Sequence, residues 1–171
     1  MNRLHQSWIW LRRVRHCRGF GIQSPSDYRF VRYVISERWP YYAYDEVGQG
    51  DSRMRRKLGR LFFRLANELQ PTVICDMLGY GDYLLAACPH AAILHELPAE
   101  NPTQLLVSPD HLPLPAALCP AMLVVDDVGH HRQQWQTIVS DPRFTVTFDL
   151  YYCGIAMALP KRPRQNYIVN F

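Results

Sequence analysis

The chain has 171 residues, 48% of them hydrophobic and 20% charged, and a net charge of +4, which fits one soluble domain burying roughly 70% of its unfolded surface. No apolar run reaches the ~18–20 residues of a membrane span, and the apolar stretch near the start is short, broken by charge and followed by no small-residue cleavage site. The five cysteines, Cys17, Cys75, Cys88, Cys119 and Cys153, form no C-x-x-C, so reduced, mostly buried thiols in a cytoplasmic protein are expected rather than a zinc or redox site.

Residues 1–60 carry 13 of the 19 basic and 5 of the 15 acidic side chains, a net +8, against −4 for the remainder. A basic arm on an acidic body suits a polyanionic partner. The arginines also fall at helical spacing between apolar residues, so solvated faces of amphipathic helices are the preferred reading, and nucleic acid is not expected as a partner.

Apolar residues at three- and four-residue steps (Leu4, Trp8, Leu11) predict a helix over 3–17. After the break Arg18-Gly19-Phe20-Gly21, Ser24 reads as an N-cap, with Pro25 at the first helical position and Asp27 favouring the positive helix end. The helix that follows runs over 28–39 and ends at Pro40. Residues 39–51 read as an aromatic, glycine-containing loop or lid. A third helix is predicted over 52–69, with Met54, Leu58, Leu61, Leu65 and Leu69 in one stripe and arginines opposite. Pro71 stops it.

From Thr72 the period changes. Strands are predicted over 72–77, 92–96, 104–107, 121–128, 145–150, 154–159 and 167–171, with helices over 82–88 and 130–140. The fold expected is an α/β sheet, mostly parallel, with an antiparallel edge from a C-terminal hairpin. One domain spans 1–171: a helical N-terminal extension over 1–70 and an α/β core over 71–171.

Two clusters carry chemistry. Gly79-Tyr80-Gly81 follows the first strand, a helix starts at Asp82, and Glu96 ends the second strand. That is the layout of a nucleotide-type cofactor loop with a ribose acid, and equally of an ordinary strand-to-helix turn. Asp126-Asp127 ends the clearest strand and is followed by His130-His131. Magnesium prefers oxygen ligands, and a nearby histidine (His111, His130 or His131) suits a general base. The competing reading makes Asp127 a helix cap and the histidines surface residues. Tyr41, Tyr42 and Tyr44 line a substrate mouth or pack between helix and sheet.

RGFGIQSPSDYRFVRYVI followed by YYAYDE resembles the N-terminal H-G-x-H-S-P-F entry and Y-Y-x-Y stretch of class I S-adenosylmethionine-dependent methyltransferases, in particular a group of short ones from Bacteroidetes-type bacteria. VICDMLGYGDYL with ILHE is similar to that family's cofactor loop and ribose acid. LVVDDVGHHRQQWQTIVSDPRFTVTFDLYYCGIAMA is similar to its Asp-Asp strand, amphipathic helix, D-P-R-x-T-V-T-x-D-L segment and G-I hairpin. The resemblance implies a Rossmann-like methyltransferase sheet and a small-molecule O-methyltransferase. It implies cofactor binding by Asp76, Gly79, Gly81 and Glu96, and catalysis by Asp126, Asp127 and His130. Magnesium would sit on Asp126 and Asp127 with Asp110. Only 24 residues separate Glu96 from Ala121, where the family would place a strand, a helix, a strand and a longer helix, so the core is expected to be shortened. The alternative is a non-catalytic relative serving as a binding or scaffold protein. A homodimer through the N-terminal helices, using Trp8, Trp10 and Trp39, is expected; a membrane partner is not.

Overall fold

The computed structural model describes residues 3–97, 103–109 and 114–171, with backbone alone at 3–5. Helix α1 spans Arg3–Arg12 and passes into a 3-10 turn, Val14–His16, rather than continuing as α-helix to 17. The break falls at Arg13, whose side chain turns inward to the sheet. Helix α2, Pro25–Phe30, is capped as expected: the Asp27 N–H donates to Ser24 Oγ at 3.4 Å. It ends in a π turn, Val31–Ile35, several residues short of the expected 39. The cause is Arg64, buried and not on the solvated face. Its guanidinium takes the Val34 and Ile35 carbonyls at 2.6 and 3.0 Å, diverting them from any further helical turn.

The aromatic loop contains a short helix, α3 (Ala43–Glu46), and Tyr41 and Tyr44 pack on Phe63 with ring centroids 5.0 and 5.2 Å apart. They are therefore packing residues, while Tyr42 is exposed. Helix α4, Arg53–Leu69, begins at the Ser52 cap and ends where Gln70 turns left-handed just before Pro71. Leu58, Leu61 and Leu65 of the expected stripe are buried.

Seven strands form one sheet: β1 (Val73–Asp76), β2 (Ala92–Leu94), β3 (Leu105–Ser108), β4 (Met122–Asp126), β5 (Val146–Asp149), β6 (Cys153–Met157) and β7 (Gln165–Ile168), in the order β2-β1-β3-β4-β6-β5-β7. Helix α5 (Gly81–Ala87) joins β1 to β2, and α6 (Arg132–Ser140) joins β4 to β5. Six strands run parallel, and β6 alone is reversed, antiparallel to both β4 and β5. The antiparallel strand is thus interior and the edge is β7, which pairs parallel with β5. Helix α6 carries the chain past one strand width, and the hairpin return fills the gap.

The two faces are covered unequally. On one, α2, the π turn, α4 and α5 pack over Ile74, Leu105, Val107, Val124, Ile155 and Phe148. On the other, Trp135 of α6, Leu118 and Phe144 cover Cys75, Leu106, Leu123, Val125 and Ala156. No helix lies between β2 and β4 among the described residues, as the short 97–120 segment predicts. No described helix is long and apolar enough to cross a membrane.

Candidate functional site

The order β2-β1-β3 makes the carboxyl ends of β1 and β3 a point where the chain leaves in opposite directions, the crevice in which open α/β sheets take ligands. Strand β1 delivers Asp76 to that end and the chain turns at Gly79, whose φ of 72° is left-handed and suits glycine. The Leu78 N–H donates to Asp76 Oδ1 at 3.0 Å. Asp76 is buried, and its Oδ2 has no hydrogen-bond partner among the described residues. A methyl group built on Gly81 would lie 3.8 Å from that oxygen. A buried carboxylate oxygen left in this state is costly unless a ligand satisfies it.

Helix α4 closes over the loop. The Arg55 guanidinium donates to the Gly79 carbonyl, lies 4.4 Å above the Tyr80 ring and pairs with Asp51 at 3.2 Å. Tyr80 is buried edge-on against Phe62, and burial pushes its phenol up to about 12 despite Arg55. Sequence reading missed Arg55, because nothing local links α4 to a loop 24 residues on. The one signal was the Asp51–Arg55 i,i+4 spacing at a capped helix start.

Glu96 lies two residues beyond β2, not at its end, and is exposed. Cys75 of β1 is opposite Leu94, and its Sγ donates to the Glu96 carbonyl at 3.4 Å. Glu96 is therefore held beside β1, just past the end that also carries Asp76. His95 Nδ1 lies 3.2 Å from the Asp76 carbonyl oxygen.

Asp126 ends β4, half-buried, opposite Cys153. Asp127 is left-handed at φ 48°, and its N–H donates to the Tyr152 carbonyl at 2.8 Å. It does not cap α6, whose N-cap is His131 with no side-chain cap bond. Instead Asp127 Oδ1 lies 2.6 Å from His130 Nδ1. The structure thus brings together Asp76, Gly79 and Gly81 with Glu96 nearby, and separately Asp127 and His130 next to Asp126. Asp110 and His111 lie outside the described residues, and no group of three metal-ligating side chains forms among those described.

A third constellation was not anticipated. Asp149, buried at the end of β5, receives Arg13 at 2.8 Å and Arg132 on its other oxygen, and the Tyr151 N–H at 2.9 Å. Burial opposes its ionisation, but the two arginines and the amide outweigh burial and hold the carboxyl below its usual range. Comparison with models of protein families, with curated proteins and with solved structures finds no match to this chain.

Proposed function

We propose that the Gly79–Gly81 crevice is an S-adenosylmethionine site and the protein a methyltransferase of the small-molecule O-methyl type, built on a shortened Rossmann-like methyltransferase sheet. The observation that carries this reading is Asp76 Oδ2, a buried oxygen without a partner among the described residues, between a left-handed glycine and the switch point of the sheet. An ammonium group there would satisfy it. The residues fit the cofactor: Gly79 and Gly81 leave backbone room, Asp76 accepts from its amine, and Glu96 accepts from ribose hydroxyls. When bound, the cofactor supplies an electrophilic methyl group. Asp126 and Asp127 would orient a hydroxyl acceptor, and positioning would do most of the work. His130, its Nδ1 held by Asp127, would take the acceptor's proton at Nε2. Magnesium enters this reading only with Asp110, and His130 competes with it for the Asp127 carboxylate.

A second reading is a non-catalytic scaffold that dimerises through its N-terminal helices. It is favoured by Arg55, which already occupies the Gly79 carbonyl, and by Trp8, Trp10 and Trp39, all exposed. Calorimetric titration with S-adenosylmethionine and S-adenosylhomocysteine separates the two. The enzyme reading expects micromolar binding that Glu96→Ala weakens at least about tenfold, the loss of one charge-assisted hydrogen bond. Absence of heat from both ligands, with the protein folded, would sink it. A concentration-dependent dimer abolished by Trp8→Ala would then establish the scaffold.

A further inference from the structure

The sequence has 19 basic residues, and only Lys57 and Lys161 are lysines. Lys57 stands on α4 among Arg53, Arg55, Arg56, Arg60 and Arg64. Its side chain enters a cleft of about 340 Å³ between α1, α4 and the β5–β6 turn. The ammonium lies 4.2 Å from the Phe171 ring centroid and 5.4 Å from that of Tyr152. Trp10 supplies a third aromatic wall, and Gln6 an amide. No Asp or Glu side chain lines the cleft among the described residues, and Lys57 has no ion pair with one among them.

Partial burial and neighbouring cations favour the neutral, nucleophilic form of an amine. Burial, the largest influence, pushes the amine down to about 8. Arg53, Arg38 and Arg64 push the same way, and Cys153 from β6 opposes them. An ordinary lysine is almost wholly charged at pH 8, and Lys57 carries a larger neutral share. An arginine at this position would stay charged. Arg53 lines the same cleft one turn earlier and is placed to hold an anion.

We propose that this cleft is a binding site for a planar aldehyde or ketone carrying an anionic group, which Lys57 captures as a reversible imine. The amine lone pair adds to the carbonyl carbon, and a C–N bond forms. The carbonyl oxygen leaves as water with the two amine hydrogens, and a C=N bond remains. Aromatic walls stack the planar ligand and Arg53 pairs with its anionic group. The site is independent of the glycine-loop crevice and of any methyl transfer there.

The probe is pyridoxal 5′-phosphate, added to the full chain at pH 8, trapped with borohydride and mapped by peptide mass spectrometry. Lys161 is the internal control. Labelling of Lys57 over Lys161 by at least about tenfold is expected from the charged contact that Arg53 adds in the cleft, and the preference should vanish in urea. Equal labelling, or a preference that survives in urea, overturns the proposal. Arg53→Gln should raise the half-saturating probe concentration about tenfold, one charged contact. An unchanged value removes the anion from the proposal, and Lys57→Arg must abolish labelling on α4.

Discussion

Asp76, three residues before Gly79, and Arg55, brought over the same turn by α4, have opposite consequences. The carboxylate oxygen lacks a partner among the described residues; the guanidinium has three, in a carbonyl, a ring and a carboxylate. Groups held ready for a ligand are usually held at the expense of stability. Asp76→Asn removes the charge and keeps the shape, so it should leave thermal stability of the free protein equal or higher while abolishing the heat of cofactor titration. A fall in melting temperature of more than about 4 °C, the scale of 1 kcal/mol in a domain of this size, would mean that the carboxylate is structural. Asp76, Gly79 and Gly81 were legible from the sequence because strand, turn and helix follow one another locally. Arg55 was not, because its position over the loop is a product of how α4 packs on α5.

That packing is unusually close. Tyr83 of α5 lies flat against Gly59 of α4, where an added methyl group would fall 2.5 Å from the ring. The Tyr83 hydroxyl donates to Asp51 Oδ2 at 2.8 Å, and burial with that bond pushes its phenol up to about 12. Gly59→Ala should therefore destabilise the fold by about 1–3 kcal/mol through overpacking, read from a urea midpoint. It should also loosen Arg55 from the loop, since both hang from the first half of α4. The boundaries of α4 were legible because Ser52 caps and Pro71 stops. The place of β6 was not: a hairpin signal says that two strands pair, not on which side the second one docks. Arg64 was misplaced for a related reason. A helical stripe distinguishes faces, but a long side chain at the seam reaches inward when carbonyls there need donors.

At the scale of the whole molecule, the helical extension and the core are one unit. Arg13 and Arg132 meet on Asp149, and Asp27 takes a bidentate Arg162 together with the Tyr167 hydroxyl. Asp149→Asn leaves buried Arg13 without its counter-charge, and a loss of about 3–5 kcal/mol is expected. The folded carboxyl titrates below its unfolded value of ~3.9. Its stabilisation is therefore complete above that pH and drains away as pH falls through the lower folded value. Urea midpoints of wild type and Asp149→Asn should differ fully at pH 6 and converge toward pH 2. A gap independent of pH would assign the loss to packing instead.

The ties just described join residues far apart in the order of synthesis: Asp27 and Arg162 are 135 residues apart, Trp10 and Asn170 are 160. At ~5–20 residues per second, the first helices wait on the order of ten seconds before the segments that anchor them leave the ribosome. During that interval the tryptophan- and arginine-bearing helix has no sheet to rest on, and its inward residues, Ile9 and Arg13, are as bare as its outward ones. Fusing or shortening the 162–170 segment would therefore act first on yield in the cell, through the nascent chain, before any effect on the finished protein could be measured.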